Sequence, residues 1–496
     1  MKSTTRFTLL ACVFILAACA ETKKDVPLTL TDQPVPTDQP VAGLPESYKD
    51  IVFPDFQYVA PYPGDYRIDI SDSITLYAVR DTAIPLIDLT FYFKENSVPK
   101  NKEEVAALQL LSSLYSRGGT EKLSPVHVDD SLEFLSARIS GSIGTTRSTI
   151  RLNCLSRDFD KVLPLLSELF NKARLDSSRL ELQKNAAIQS YLHRYDQPSS
   201  QASALSAKVL YKDNPKLWKA DSAQLAKVKR ANLLSLKDEF FVPRRVIIAA
   251  AGDFNTDSLK SALTNLFANW KKPTPPSVPL PRGEFPVLEF NEHKGVFTSE
   301  KSISQANIIM AAPFVKRPHS DYYQTAIANY ILGGSSFSSR LMNTVRTQNG
   351  LAYSIYSFAQ SDYDDVGLVG IALQTKAESA KTALQMIREE CLKLATEGPT
   401  AEELEFAKKS LIESMPGMFE NAETTANTFA ASELNGRSLE HYREYPEKLK
   451  AVTAEQVKAM AAKYFNPDNF KISIVGASDK MLLENAKIIP VDSLEF

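Results

Sequence analysis

Apolar side chains recur at helical spacing over residues 105–115. Val105, Leu108, Leu111, Leu114 and Tyr115 form one stripe, and Gly118-Gly119 stops the run. A second face of the same helix is polar. Gln109, Ser112 and Ser113 stand at i, i+3 and i+4, the spacing that brings three side chains to one point. Runs rich in β-branched and aromatic residues predict strands at LIDLTFYF (86–93), ARISGSIG and TIRLNCL in one half of the chain. ANIIMAAPF (306–314), YSIYSF and GLVGIALQ do so in the other. Amphipathic helices are predicted at DKVLPLLSELFNKA, YYQTAIANYIL (322–332) and ESAKTALQMIREECLKLA.

The order of these elements repeats. Each half opens on an apolar strand, a helix and a Gly-Gly turn (Gly118-Gly119; Gly333-Gly334), then runs through strands to an amphipathic helix. Each half also closes alike, in FFVPRRVIIAAAGD (240–253) and YFNPDNFKISIVGASD (464–479). Pro243 and Pro467 stand 224 positions apart, as do Gly252 and Gly476, and Val228 and Val452. Three coincidences at one offset without a gap indicate duplication. Between the halves lies KKPTPPSVPLPRGEFP (271–286), whose six prolines forbid helix and central strand. Strands that pack one face against helices give the fold class: α+β, as two homologous α/β-sandwich domains joined by a Pro-rich linker. The boundaries are 48–270 for the N-terminal domain, 271–287 for the linker and 288–485 for the C-terminal domain.

The N-terminus carries a different pattern. Lys2 and Arg6 precede an apolar run from Phe7 to Ala18, too short to span a bilayer and suited to a signal-peptide core. The run ends Leu16-Ala17-Ala18-Cys19, which resembles the bacterial lipobox and marks residues 1–18 as a lipoprotein signal with Cys19 as the lipidated residue; an ordinary cleaved signal is the alternative. Residues 19–47, in which TDQPVP and TDQPVA repeat, read as a Pro/Thr/Asp-rich tether. The expected location is the bacterial cell envelope, anchored to a membrane by lipid on the periplasmic or outer-membrane side. Only Cys154 and Cys391 then remain as thiols, so no disulfide framework is implied.

Composition excludes several function classes. The net charge is −2 with acids and bases interspersed, and there is neither a basic block nor a phosphate-cradling GxxxxGK[ST] loop, so no nucleic-acid partner is expected. The five histidines, His127, His193, His293, His319 and His441, never fall within one helical turn of each other, which removes HExxH, HxxEH and HxxxH pairs. Four of them lie in polar contexts where solvation is the default, and His193 lies near a helix end, where capping is expected. No CxxC pair and no GxSxG elbow occurs. The chain alone shows no catalytic engine.

Four segments nevertheless carry a resemblance: SRGGT after the first helix, YDQPSSQASALSAKVLYKDNP, FVPRRVIIAAAGDF, and SSRLMNTVRTQNGLAYSIYS. Over about residues 48–485 the chain resembles the pitrilysin–insulinase family of zinc peptidases, of the bacterial and mitochondrial-processing-peptidase type. The resemblance implies two homologous insulinase-like α+β domains and a proline-containing linker. In active members the first-domain helix carries HxxEH. Matched to within about one residue, those positions here are Gln109, Ser112 and Ser113, and the third ligand, a Glu, falls near Gln189-Ser190. An amide and hydroxyls supply neither the imidazole nitrogens that zinc favours nor a carboxylate base.

Arg346 and Tyr353 are retained. They resemble the element by which one subunit of the family's two-chain enzymes reaches substrate held at its partner's zinc. Both are hydrogen-bond donors suited to developing oxyanion charge. Alternatively, Arg346 pairs with an acid such as Asp362 and Tyr353 packs in the sheet. The resemblance thus implies a chain that binds no cofactor itself, a partner subunit bearing HxxEH and its zinc, and a peptide substrate. The expected function is that of a substrate-binding subunit of a heterodimeric zinc metalloendopeptidase, without peptidase activity alone; the alternative is a non-enzymatic scaffold or peptide-binding lipoprotein on the same fold.

Overall fold

The computed structural model describes residues 58–94, 98–240, 245–268, 283–335, 337–481, 483 and 485–496, with Ser47, Asp50 and Ile51 ahead of them. The signal segment with Cys19, most of the tether, Pro243 and most of the Pro-rich linker therefore lie outside the described residues.

Each half builds a six-stranded sheet. The first contains β1 (Arg67–Ser71), β2 (Ile74–Arg80), β3 (Leu86–Lys94), β4 (Arg138–Ser142), β5 (Arg147–Leu155) and β6 (Arg245–Gly252), in the order β1-β2-β6-β3-β5-β4. The second contains β7 (Gly295–Glu300), β8 (Gln305–Pro313), β9 (Ala352–Gln360), β10 (Leu368–Lys376), β11 (Lys471–Gly476) and β12 (Lys487–Ile488), in the order β12-β7-β11-β8-β10-β9. From the second strand in each order the pairings correspond one to one. β2 and β7 lie parallel to β6 and β11, which pair antiparallel with β3 and β8. Antiparallel β5 and β10 follow, and then the edge strands β4 and β9. The duplication read from the sequence is a duplication of topology.

The central strands are apolar on both faces because each face meets a helix. On β6, Val246, Ile248 and Ala250 join the core with the first half's own helices, Lys102–Tyr115, Phe159–Asn171 and Thr256–Ala268. The intervening Ile247, Ala249 and Ala251 face Met415, Ala426, Phe429, Ala430 and Leu434 of the second half. The second sheet is covered in the same way from the first half. Ala202, Leu205 and Val209 of the helix Pro198–Leu210 pack on Phe297 and Val475. The two covering helices, Pro198–Leu210 and Ala422–Leu434, are each 13 residues long and start 224 positions apart. The halves have exchanged equivalent helices across their interface.

Polar groups fix this exchange. Glu433, near the end of its helix and 11% exposed, accepts hydrogen bonds from Arg67 Nε (3.0 Å) and Nη2 (3.2 Å), from Thr75 Oγ1 (3.3 Å), from the Tyr77 hydroxyl and from Arg245, all in the first half. Tyr92 donates to Asn427 at 2.9 Å, and Lys216 pairs with Asp365 at 2.7 Å. On the other side Gln201 donates to Ser299 Oγ at 3.0 Å. The described end of the linker is pinned too: Asn214 Nδ2 donates to the Pro286 and Val287 carbonyls, and Lys212 N to the Glu289 carbonyl.

Burial opposes ionisation of Glu433, but the hydrogen bonds from Arg67 and Tyr77 and the charges of Arg67 and Arg245 outweigh it and hold the carboxyl below its ordinary value. A depressed folded-state value means that its contribution is complete above the ordinary carboxyl range and is lost as pH falls through the folded value. Glu433→Ala, which strands two guanidinium groups, is expected to cost about 3 kcal/mol in denaturant unfolding at pH 7. The deficit of Glu433→Gln relative to wild type should shrink as pH is lowered below about 4.

Candidate functional site

The helix Lys102–Tyr115 begins three residues before its apolar stripe, because Asn101 caps it by accepting from Glu104 N at 3.0 Å while Glu103 and Glu104 sit in its first turn. Leu108, Leu110, Leu111 and Leu114 are buried in the core. The polar face divides by role. Ser112 Oγ accepts from Ile143 N at 2.9 Å, tying the helix to the end of β4. Ser113 is exposed and donates back to the Gln109 carbonyl at 3.1 Å. Gln109 opens into a cavity of about 470 Å³, which Ser190 of the helix Ser177–Leu192 also lines. The structure thus brings two of the inferred ligand positions to one space and selects Ser190 over Gln189 there.

An ion pair stands in the same cavity. Arg194 Nε meets Glu495 Oε1 at 2.5 Å, the Tyr195 hydroxyl donates to that oxygen at 3.2 Å, and the Arg194 guanidinium lies 3.7 Å from the Tyr191 ring centroid. Burial, and then the Glu495 charge, push the Tyr195 hydroxyl up to about 12, so it stays protonated and donating. Glu495 is delivered by the final segment, whose Leu494 is buried against Ala202, Leu205 and Val475. Sequence patterning gave no signal for this tail, since one apolar residue in a short irregular stretch has no period.

The second candidate element is held by two local irregularities. Arg346 lies in a π-helical turn, Met342–Gln348, that closes through Gly350 at φ 62°, whose N–H donates to the Arg346 carbonyl at 2.8 Å. Its guanidinium contacts Met342 Sδ at 3.6 Å and lies 5.6 Å from the Phe337 ring; among the described residues no acid pairs with it, so the alternative pairing with Asp362 does not form. Tyr353 is the unpaired residue of a β-bulge on the edge strand β9: Ala352 faces Thr375 and Ser354 faces Gln374. The bulge shifts the alternation so that Ala352 and Ile355 both enter the core, while Tyr353 is 77% exposed and does not pack in the sheet. Phe337 and Tyr356 are exposed as well. Gly333 is needed where the chain passes β9, because a β-carbon there would come within 2.5 Å of Ser357 N.

The histidines do not converge. Among the described residues no group of three or more His, Cys, Asp or Glu could hold a metal ion. His193 caps its helix and pairs with Asp196 at 2.8 Å, as its position predicts. His441 departs from the expected solvation: it is half-buried, and burial together with Arg437, Arg317 and Lys448 pushes it down to about 4. Cys154 and Cys391 are buried free thiols, each pushed up to about 12 chiefly by burial, and therefore unreactive.

Comparison with known proteins matches residues 227–411, a span that includes Arg346 and Tyr353, to the family described as Peptidase M16 inactive domain. Over 368 residues, 73% of this chain and 86% of the relative, the chain is 25% identical to "Uncharacterized zinc protease YmxG" of Bacillus subtilis. It is 24% identical to "Non-peptidase homolog YmxG" of Helicobacter pylori over 77% of this chain and 85% of that protein. In this span and across these relatives the chain is similar to the pitrilysin–insulinase (M16) peptidases. The fold agrees: the crystal structure of the peptidase M16 inactive domain from Pseudomonas fluorescens superposes with a TM-score of 0.71 at 22% identity, covering 86% of this chain and 98% of that one.

The residues at the M16 metal positions do not fit zinc. They offer one amide and three hydroxyls, all neutral, and two of the hydroxyls are already engaged with backbone. A double-mutant cycle on Arg194 and Glu495, read by thermal unfolding, should return a coupling of about 1 kcal/mol or more, as expected of a partly buried pair with a shared tyrosine donor. A coupling indistinguishable from zero would mean that the tail does not occupy the cavity in solution.

Proposed function

We propose that this chain is the zinc-free, substrate-binding subunit of a heterodimeric zinc metalloendopeptidase that degrades peptides. The observation that carries the reading is the contrast between its two sites. The metal positions hold neutral side chains, whereas a bulge leaves Tyr353 exposed and a π-helical turn carries a half-buried Arg346 that, among the described residues, no acid neutralises. Both devices place a side chain where regular secondary structure would not. The exposed rings of Phe337, Tyr353 and Tyr356 add the aromatic character common in protein and peptide contact surfaces. A sister chain of the family bearing HxxEH would supply the zinc, and Arg346 and Tyr353 would donate to the carbonyl of the peptide held there. The name "non-peptidase homolog" given to the H. pylori relative supports an inactive chain. In this reading residues 1–18 are a lipoprotein signal and Cys19 carries the lipid that holds the complex at the bacterial cell envelope.

Purified alone, the chain should contain far less than one zinc per molecule by elemental analysis and cleave no peptide until mixed with an HxxEH-bearing sister. In the reconstituted pair, Arg346→Ala and Tyr353→Phe should each lower the cleavage rate by about 10²-fold, the usual effect of removing one oxyanion donor. A reconstituted pair that keeps its full rate with both substitutions would leave the chain a scaffold. Zinc near one per chain, with chelator-sensitive cleavage by this chain alone, would overturn the proposal outright.

A further inference from the structure

A second cavity, of about 500 Å³, lies in the C-terminal half and involves none of the residues discussed as metal positions. It is lined by Arg317, His319, Arg437, His441 and Lys448 and by the rings of Tyr322, Tyr323 and Tyr363. Among the described residues no carboxylate lines it. Four elements meet there: the segment after β8, the turn between β9 and β10, the turn that follows the exchanged helix Ala422–Leu434, and the helix His441–Lys450.

The two arginines are unusual in what they lack. Arg317 is 9% exposed, yet among the described residues its guanidinium has neither a hydrogen-bond acceptor nor an acid partner; only its backbone N–H is engaged, with the Asp362 carbonyl at 2.7 Å. The side chain is held by rings alone, 3.7 Å from the Tyr322 centroid and 4.8 Å from that of Tyr363. Arg437 donates to two phenol oxygens, Tyr363 at 2.8 Å and Tyr442 at 3.2 Å, and likewise meets no acid. It is set by a capping turn in which Gly436, at φ 70°, and Arg437 return their N–H groups to the Glu433 and Ser432 carbonyls. Lys448 is paired with Glu444 at 2.6 Å and so adds little net charge. The two guanidinium groups leave the cavity with an excess of two positive charges. Neither side chain leaves a buried nitrogen without a partner, so the unbonded guanidinium nitrogens stay accessible to a ligand in the cavity.

We propose that this cavity is a binding site for a doubly charged oxyanion, a phosphate monoester carried by a small organic molecule. Charge and shape both support that class. Two planar forks suit the oxygens of phosphate bidentately, and two uncompensated positive charges match a dianion. The volume exceeds what a bare phosphate needs and leaves room beside the tyrosine rings for the attached organic group. Burial first, and then the charges of Arg437 and Arg317, push His441 down to about 4, so it is neutral near pH 7 and adds no charge of its own. The site does not depend on the peptidase reading, and either stands without the other.

The test is isothermal titration calorimetry of the full chain with inorganic phosphate, with phenyl phosphate, and with benzoate as a singly charged carboxylate of similar bulk. Phosphate and phenyl phosphate should saturate at one per chain, phenyl phosphate the more tightly, and benzoate should bind at least about tenfold more weakly. Arg317→Met and Arg437→Met should each weaken phosphate binding by about tenfold or more. Without ligand, their unfolding temperatures should stay at or above wild type, since an uncompensated buried charge has been removed. Arg437→Lys keeps the charge and should still weaken binding several-fold by losing the fork. Absence of saturable binding to about 10 mM phosphate would overturn the proposal. So would unchanged binding in both Met variants, or benzoate binding as tightly as phenyl phosphate.

Discussion

The exchange of one helix between the halves is the constraint on which the rest of this structure depends. A sheet with two apolar faces cannot be left half covered, and neither half of this chain supplies both covers itself. Each half instead lends Pro198–Leu210 or Ala422–Leu434 to the other. The two sheets are therefore mutually dependent, and residues 58–496 behave as one contact unit. Glu433 sits at the end of one lent helix and gathers donors from β1, β2 and β6, so strand order and helix docking are fixed by a single carboxylate. The turns that leave the lent helices then place cavity residues, including Arg437.

Much of this was legible from periodicity. The strands LIDLTFYF and ANIIMAAPF became β3 and β8 within a residue, and the 224-residue offset reported a repeat that extends to strand pairing and to the lent helices. The exchange itself was not legible, because a helix carries the same stripe whether it covers its own sheet or another. The strand β6, RVIIAAAG, held the clue in its unbroken apolar run, which requires a cover on each face. The site was legible only in part. Spacing placed Gln109, Ser112 and Ser113 on one face, but burial assigns Ser112 to a backbone contact and leaves Gln109 with Ser190. Tyr353 was singled out by resemblance, with packing in the sheet as the alternative; the bulge that exposes it depends on its partner strand's register, which a local pattern does not encode. Arg317 lies 120 positions before Arg437, and the three residues Arg317, Arg437 and His441 carry no common motif, so His441 was read only as a solvated histidine.

The first helix shows why the face matched by resemblance to metal positions can vary without loss of the fold. Its position is set by Leu108, Leu110, Leu111 and Leu114 in the core and by the Asn101 cap, none of which would touch a metal. The ligand face carries little of the packing, so substitution there is nearly free in stability. What replaced the ligands has become locally useful: Ser112 satisfies the Ile143 amide, which would otherwise lack an acceptor at the end of an edge strand. The Arg194–Glu495 pair occupies the cavity instead, with its charges matched and its aromatic neighbours in place. A cavity filled in this way offers no free carboxylate or imidazole for a metal to recruit.

The duplication also relates the two cationic regions and shows how they diverged. In each half a cavity forms where the segment between β3 or β8 and the helix that follows it meets the turn after the lent helix. In the first half that cavity, about 750 Å³, is lined by Lys100–Glu103 and by Lys208, Tyr211, Lys212 and Asp213; in the second, by Arg317–Ser320 and by Gly436–Ser438. At the 224-residue offset Arg437 corresponds to Asp213. The first cavity keeps both signs: Glu103 and Asp213 line it, Asp213 accepts from Trp218 Nε1 at 2.8 Å, and Lys212 pairs with Glu289 at 2.7 Å. The second has an arginine where the first has an acid, and among the described residues no carboxylate lines it. A single exchange of sign at equivalent turns converts a balanced cavity into one with excess positive charge. Neither guanidinium is neutralised by an acid among the described residues, although Arg437 donates to two phenol oxygens. The retention of two such groups, stacked on tyrosines rather than paired, is what an anion supplied from outside the chain would complete.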